Sequence, residues 1–242
     1  MPRSLDHAAF EAIHLTCKRS ASRISVGSKE RSMSHSPSKG TALITGASAG
    51  IGAVYADRLA KRDYDLVLVA RNEARLKALS GRIALNTVAL TRLTYAAAPA
   101  FVARRAGTII NIASVVGLSP ETLNGVYGAT KAYVIALSHS LQHELAEKGV
   151  RIQVVLPAAT ATEIWEKAGL PYQNLPASIV MSPEDMVDAA LVGLDQGEVV
   201  TLPSLHDGDQ WTRFEAARRA IAKQFGNSTP ASRYRIGVRT SA

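Results

Sequence analysis

Short apolar runs recur along this chain, separated by longer segments in which apolar and polar residues are mixed. Five of these runs predict β-strands, at Thr41–Thr45, Tyr64–Ala70, Thr108–Ala113, Arg151–Leu156 and Glu198–Leu202. The run Tyr64–Ala70 (Tyr-Asp-Leu-Val-Leu-Val-Ala) is almost continuously apolar, which is typical of a parallel strand covered on both faces. The pattern therefore predicts buried strands in a mostly parallel sheet.

The segments between these runs have the residue spacing and the end signals of helices. Helices are predicted over Gly50–Arg62, Asn72–Leu79, Ala84–Arg104 and Tyr127–Lys148. Another begins at Ser182-Pro183-Glu184-Asp185, where a capping serine precedes a proline and two acidic residues. Repeated alternation of strand and helix predicts the α/β fold class, with a doubly wound, mostly parallel sheet.

The two ends of the chain differ from the middle, so one α/β domain is expected over residues 40–235. Residues 1–39 are predicted to be a disordered extension, because Ser20–Ser38 is rich in Ser, Lys and Arg. Leu5–Lys18 could form a short amphipathic helix. A mis-assigned start, with translation beginning at Met33, is the alternative, and residues 236–242 are expected to be a flexible tail.

Composition narrows the classes of partner and the compartment. The net charge of +8 lies largely in the chain ends, which is typical of solvated tails, so no nucleic-acid partner is predicted. No run approaches the roughly 20 apolar residues of a membrane span, so no membrane partner is predicted either. Cys17 is the only cysteine, which favours a reducing, cytoplasmic location.

A glycine-rich turn follows the first strand and leads into a helix. Gly46, Gly50 and Gly52 lie in this turn, together with Ser48 and Ile51. Glycine lets the backbone approach a pyrophosphate closely, and the helix N-terminus supplies unpaired N–H groups. Because the glycines lie between a strand and a helix, the turn is predicted to bind a dinucleotide.

Arg71 follows the second strand, where the nucleotide specificity of such a site is decided. An acidic residue there would bind the ribose 2′-hydroxyl of NAD, whereas an arginine can receive the 2′-phosphate of NADP. Arg71 therefore favours NADP (NADPH) over NAD. The alternative is a solvated arginine at the edge of a loop.

A candidate catalytic group lies further along the chain and consists of Ser114, Tyr127 and Lys131. Tyr127 and Lys131 are four residues apart on a predicted helix, so their side chains share one face. A lysine ammonium beside a phenol lowers the phenol pKa, which makes the tyrosine a usable general acid or base. Ser114 follows the strand Thr108–Ala113, and ligands of open α/β sheets bind outside the carboxyl ends of strands.

Together with Asn86, these motifs resemble the short-chain dehydrogenase/reductase family over roughly residues 40–235. The resemblance implies a Rossmann-like fold and hydride transfer between a nicotinamide cofactor and a carbonyl or alcohol. It implies that Tyr127 is the general acid/base and that Lys131 tunes it and holds the nicotinamide ribose. Ser114 would orient the substrate carbonyl, and Asn86 would anchor a water in the proton relay.

The same resemblance extends to the loop after the strand Arg151–Leu156. Pro157, Thr160 and Thr162 fit the loop that approaches the nicotinamide. Residues 159–181 include Trp165, Leu170, Tyr172 and Leu175, and their apolar character suggests a hydrophobic carbonyl or alcohol substrate. A covering loop without substrate contact is the alternative.

The chain is shorter than the family pattern between Arg71 and Asn86. The family carries two more strands there, one on the adenine side and one in the centre of the sheet. Neither strand's sequence occurs here, so the sheet is expected to lack both. The four residues Ser80–Ile83, which span at most about 14 Å, are left to connect the second helix to the Asn86 helix. The alternative function is that of a non-catalytic, truncated family member that acts at most as a binding or oligomerisation partner.

The helices Ala84–Arg104 and Tyr127–Lys148 are expected from the resemblance to mediate a homo-oligomer. His139 and His143 are four residues apart on the second of these helices, a spacing that can bind a metal. No third ligand is evident in a suitable position, so no metal site is predicted.

Overall fold

The structure, a computed structural model, describes residues 15–17, 40–45, 50–69, 84–122, 125–167 and 170–234. The chain divides into two compact units, Met1–Ser204 and Leu205–Ala242. Among the described residues, no helix is long and apolar enough to span a membrane. The cytoplasmic location and the domain boundaries stay predictions.

The first sheet contains three short strands in the order β1–β3–β2. Strand β2 (Thr41–Thr45) is followed by helix α1 (Gly50–Lys61) and then by β3 (Asp65–Val69), which pairs with β2 in parallel. Strand β1 (Leu15–Cys17) pairs antiparallel with β3. The helix expected over Leu5–Lys18 is therefore wrong at Leu15–Cys17, because the edge of β3 offers backbone groups that a strand can pair with.

The second sheet is parallel and has the order β4–β5–β6. Its strands are β4 (Gly107–Ile112), β5 (Val150–Val155) and β6 (Val200–Thr201). Two helices precede β4 and β5, namely α2 (Leu90–Ala103) and α3 (Gly125–Leu145). With the helices of the first sheet, this alternation confirms the predicted α/β class.

The remaining helices follow β5. Helix α4 (Ile164–Lys167) is a single turn, and α5 (Pro183–Asp195) begins where the sequence predicted. The Ser182 hydroxyl accepts a hydrogen bond from the Asp185 backbone N–H at 3.0 Å, which caps α5. Helix α6 (Gly208–Ala222) lies in the second unit.

The two sheets meet at a seam between β2 and β4. Cα atoms of the two strands approach within 8 Å, yet no backbone ladder joins them in the described part of the chain. If a strand lay between β2 and β4, these two strands would be about 9.6 Å apart, twice the usual spacing of neighbouring strands. Their Cα atoms come closer than this, so the two strands lie next to one another where they approach. This finding confirms that the central strand is absent. The connection through residues 70–83 lies outside the described residues.

Side-chain packing continues across this seam. One buried apolar cluster joins residues of β2, α1, β5 and α5, namely Ala42, Ile44, Tyr55, Leu59, Val155, Met186, Val187, Ala190, Leu191 and Leu194. A second cluster on the other face joins α2, α3 and β5 through Ala98, Phe101, Leu141, Leu145, Val150 and Ile152. The Rossmann-like arrangement therefore has helices on both faces, and its two halves share a core although they share no ladder.

Candidate active site

Ser114 lies at the carboxyl end of β4, as the sequence predicted. Its backbone is extended and its side chain is buried. The Ser114 hydroxyl donates to the Pro157 carbonyl at 3.2 Å, and the Val115 N–H donates to the same oxygen at 3.1 Å. Two predicted site residues, one after β4 and one after β5, are thus brought together at one edge of the sheet.

The loop after Ser114 packs directly on α3. A Cβ at Gly117 would lie 2.9 Å from the carbonyl carbon of Lys131, and one at Gly128 would lie 3.0 Å from the Cα of Pro120. Contacts of this length are too short for a side chain, so glycine at both positions permits the approach. The close packing fixes the part of α3 that carries Tyr127 and Lys131 beside the end of β4.

Lys131 is held over the candidate acid by a backbone carbonyl. Its Nζ donates to the Ile112 carbonyl at 2.9 Å and lies 5.7 Å from the centre of the Tyr127 ring. Burial lowers the pKa of Lys131 to about 8. The Lys131 side chain is therefore still mainly protonated at neutral pH, although it loses its proton at a lower pH than an exposed lysine does.

The Tyr127 phenol has its pKa raised by burial, and hydrogen bonding with the Ser114 side chain opposes this effect in part. The sequence had predicted that Lys131 would lower this pKa. The prediction is wrong for the structure described, because burial dominates and the Lys131 ammonium is bound to the Ile112 carbonyl. Tyr127 is consequently a neutral phenol near neutral pH, which suits a proton donor.

Asn86 lies in a π-helical turn, Ala84–Ala89, that precedes α2. Its side-chain Nδ2 donates to the Thr130 hydroxyl at 3.1 Å, and that hydroxyl donates to the Tyr127 carbonyl at 2.8 Å. Turns of this kind are frequent at functional sites. Sequence reasoning missed Thr130, and the only available signal was a hydroxyl residue directly before Lys131.

The loop after β5 connects the predicted cofactor-binding residues at the start of α1 to the candidate catalytic group of Ser114, Tyr127 and Lys131. Gly50 has a left-handed φ of +54°, and a Cβ there would lie 3.4 Å from Cγ2 of Thr162. Ile51 and Gly52 follow in the first turn of α1. The loop that begins at Pro157 therefore reaches the start of α1 at Gly50, which puts this described cofactor candidate next to the candidate catalytic group.

Three cofactor candidates cannot be compared with the prediction. Gly46, Ser48 and Arg71 lie outside the described residues. Thr160 is described and buried, and a parallel bridge joins it to Met181. Its role in binding a cofactor stays a prediction.

The segment expected to face the substrate is anchored at one end and carries several exposed apolar side chains. The Trp165 indole N–H donates to the Thr160 carbonyl at 2.8 Å. Ile164, Leu170 and Ile179 are exposed, whereas Tyr172 and Leu175 are partly buried. Exposed apolar side chains of this kind are the ones that a bound molecule can cover.

Replacing Lys131 by methionine is expected to change how stability depends on pH. The lysine pKa is 10.5 in the unfolded chain and about 8 in the structure, so the unfolded state binds more protons between these values. The free energy of unfolding of the wild type should therefore rise with pH across this window, relative to Lys131→Met, by up to about 1.4 kcal/mol per pH unit.

Urea denaturation of both proteins at a series of pH values measures this difference. Below the window the two curves should run parallel, because Lys131 is then charged in both the folded and the unfolded state. Tyr127 is present in both proteins, so its own titration largely cancels. Parallel curves throughout the window would show that the lysine pKa is not lowered by burial.

Comparison with known proteins gives a consistent result. A family model described as short chain dehydrogenase matches residues 40–83 and 80–172. The two matches overlap at residues 80–83, where the sequence lacks the two strands. An oxidoreductase of Staphylococcus epidermidis is 28% identical over 57% of this chain and 88% of its own length. The rat very-long-chain 3-oxoacyl-CoA reductase is 27% identical over 51% of this chain and 60% of its own length.

Solved structures resemble the chain more completely. A short-chain dehydrogenase from Sphingobium yanoikuyae, solved in complex with NADPH, is 38% identical with a TM-score of 0.72. The match covers 80% of this chain and 99% of that one. A Comamonas testosteroni alcohol dehydrogenase described as specific for bulky-bulky ketones is 33% identical with a TM-score of 0.65, over 80% of this chain and 98% of that one.

Proposed function

Because the chain belongs to the short-chain dehydrogenase family, we propose that it is an NADP-dependent oxidoreductase acting on a carbonyl or alcohol, with Tyr127 as its general acid/base. The observation that carries the proposal is the grouping of Ser114, Tyr127 and Lys131 at one edge of the sheet. The loop that starts at Pro157 connects this group to Gly50 at the start of α1.

The residues around the glycine turn fit a dinucleotide. Gly50 is the first residue of α1 and has a left-handed φ that glycine adopts without strain, so this helix start suits a phosphate bound by its unpaired N–H groups. Arg71 would bind the 2′-phosphate, and Lys131 would bind the nicotinamide ribose. Bound NADPH or NADP supplies the hydride transfer itself.

The chain's own groups handle the proton and the substrate oxygen. Tyr127 would donate its phenolic proton to the carbonyl oxygen during reduction, and it would accept that proton back in the reverse direction. The Lys131 ammonium would stabilise the phenolate that forms. The Ser114 hydroxyl would turn from the Pro157 carbonyl to hold the substrate oxygen, and Asn86 would anchor a water.

A hydrophobic carbonyl or alcohol is the proposed substrate class. Support comes from the exposed side chains Ile164, Leu170 and Ile179 on the segment after β5. Two similar proteins agree in kind, since one is described as an alcohol dehydrogenase specific for bulky-bulky ketones and the other as a very-long-chain 3-oxoacyl-CoA reductase. Both substrates have large apolar parts.

NADPH is expected to stabilise the folded chain more than NADH does. A ligand at about a hundred times its dissociation constant adds about 2.7 kcal/mol to the free energy of unfolding. A thermal-shift titration with each nucleotide measures the effect. Because an arginine can pair with the 2′-phosphate, Arg71→Glu should remove most of the preference for NADPH. A transition that responds to neither nucleotide would contradict the proposal.

A non-catalytic function is the second candidate, and the seam is the observation that favours it. Strands β2 and β4 carry the two halves of the site, yet no ladder joins them in the described residues. A chain with this seam could bind a partner without holding the cofactor in register with Tyr127. Cofactor binding separates the two candidates, because only the oxidoreductase requires it.

A second copy of the chain is proposed to cover the outer face of α2 and α3. This face carries a groove lined by Val88, Val126 and Tyr133 among others. Val88 is 45% exposed, Tyr95 53% and Tyr133 39%. Exposed apolar side chains on two adjacent helices are typical of a face that is buried on association.

Replacing Val88 by aspartate is expected to weaken this association at least about a hundredfold, because an unpaired charge in an apolar interface is costly. Sedimentation or light scattering over a concentration series measures the shift towards monomer. Val192→Asp is the matched control, since Val192 is equally exposed but lies on α5. If both variants associate like the wild type, the α2–α3 face is not the interface.

A further inference from the structure

Thr130 makes two hydrogen bonds with a single hydroxyl. Its side chain is only 5% exposed, and its Oγ1 donates to the Tyr127 carbonyl at 2.8 Å. A hydroxyl has one proton and can also accept hydrogen bonds. Since that proton is committed to the Tyr127 carbonyl, Oγ1 can only accept a hydrogen bond from a second partner.

The second partner is the side-chain amide of Asn86, 44 residues away in sequence. An asparagine amide can be rotated so that either its NH₂ or its oxygen faces a given neighbour, and the network must decide between them. The Thr130 hydroxyl can only accept here, so it requires the NH₂ group. The distance of 3.1 Å from Nδ2 to Oγ1 agrees with this orientation.

We propose that Thr130 is a positioning residue that sets the orientation of the Asn86 amide relative to Tyr127. With Nδ2 bound to Thr130, Asn86 presents Oδ1, an acceptor, to any water or ammonium beside it. The same hydroxyl attaches the π-helical turn of Asn86 to the carbonyl of the candidate acid. The effect of Thr130 on the reaction rests on the proposed function, whereas its effect on the amide does not.

A second pair on the same helix repeats the arrangement outside the predicted site. The Ser138 hydroxyl donates to the Val134 carbonyl at 2.8 Å and accepts from Nδ2 of Asn111 at 3.0 Å. Ser138 is fully buried and Asn111 lies on β4. This pair provides a matched control, because it has the same chemistry without contact to Tyr127.

The test of the amide orientation does not require turnover. In protein labelled with ¹⁵N-asparagine, the side-chain NH₂ of Asn86 is identified by its loss in Asn86→Asp, and its hydrogen exchange is measured. Thr130→Val keeps the shape and removes the hydroxyl, and it should speed this exchange about fivefold to tenfold. Thr130→Ser should restore it, and Ser138→Ala should affect only Asn111.

Unchanged Asn86 exchange in Thr130→Val would overturn the proposal. An equal change of the Asn86 exchange rate in Thr130→Val and Thr130→Ser would also overturn it, because the change would then reflect packing and not loss of the hydroxyl. Circular dichroism and the thermal transition show whether each variant is folded. If Thr130→Val does not fold, Thr130→Ser and Thr130→Ala are compared by the same exchange measurement, with faster exchange expected only in the alanine variant.

Kinetics then connect Thr130 to the reaction. Thr130→Val should lower kcat about tenfold, with the KM for NADPH unchanged, and should alter the pH profile of kcat. Asn86→Ala in the same background should add little, because the two residues act through one contact. Fully additive effects would overturn the positioning role. If the Asn86 exchange depends on Thr130 but the wild type shows no turnover, the result would refute the proposed function and support the amide orientation.

Discussion

Replacing Tyr127 by phenylalanine is expected to lower carbonyl reduction about a thousandfold, which is within the usual contribution of a positioned general acid. The variant removes one oxygen and keeps the ring that packs beside Lys131. In the structure, burial keeps the Tyr127 phenol protonated, so its proton is available to a substrate oxygen. Reduction of a hydrophobic ketone, followed as loss of NADPH absorbance, measures the effect.

Tyr133→Phe is the matched control for this variant. Tyr133 lies on the same helix, and its hydroxyl shares a hydrogen bond with that of Thr91 at 2.7 Å, on the exposed side of α3. Its loss should change the rate by less than about threefold, since this hydroxyl is bound to Thr91 and not to a member of the candidate catalytic group. The thermal shift with NADPH should be the same in wild type and Tyr127→Phe. A Tyr127→Phe protein that keeps its activity would rule out Tyr127 as the acid.

Replacing Gly117 by alanine is expected to lower the free energy of unfolding by about 1–3 kcal/mol, the usual cost of overpacking a tight contact. The new Cβ would lie 2.8 Å from Cδ1 of Ile135 and 2.9 Å from the backbone of Lys131. A side chain can rotate away, but the helix backbone cannot do so without moving α3. We therefore also expect Lys131 to shift relative to Ser114 and activity to fall.

Gly125→Ala separates this contact from a general effect of removing glycine. Gly125 is the first residue of α3, and among the described residues outside its own helix and its chain neighbours no atom lies within 4 Å of a Cβ placed there. The control should be neutral, or stabilising by up to about 1 kcal/mol, because alanine restricts the unfolded chain. Urea denaturation of the two variants measures both effects. Equal midpoints would show that the loop after Ser114 does not pack on α3 as described.

Loss of the central strand changes how the two halves of the site are held together. A strand ladder would connect β2 to β4 through many backbone hydrogen bonds, whereas here the described residues connect the halves by side chains. Two ion pairs between α1 and α5 help, with Arg58 2.7 Å from Asp188 and Arg62 2.7 Å from Asp195. Exposed pairs of this kind contribute about 1 kcal/mol or less, so the shared apolar core carries most of the connection.

Much of the local structure could be predicted from the sequence. The apolar run Thr41–Thr45 forms β2 with the predicted ends, and Ser182 caps α5 as its position before Pro183 indicated. These features depend on residue spacing and short-range sterics, which act within a few residues of the chain.

Contacts between distant segments could not be predicted in this way. The strand at Leu15–Cys17 forms because the edge of β3 lies beside it, and nothing within those three residues requires it. The sequence placed Lys131 beside Tyr127, but only the fold brings the Ile112 carbonyl to its ammonium. Burial of the phenol, which reverses the expected direction of its pKa shift, likewise depends on neighbours that are far away in sequence.

The sequence by itself determined the family, the order of the described strands and main helices between β2 and β6, and the residue types of the candidate site. Those properties follow from local patterns and from motifs at fixed spacing. Only the tertiary structure decided that β2 and β4 approach without pairing, and that Asn86 reaches the catalytic helix through Thr130. The physical reason is that ladder closure and buried hydrogen bonds join groups tens of residues apart, whose distance is set by the packing of the whole domain.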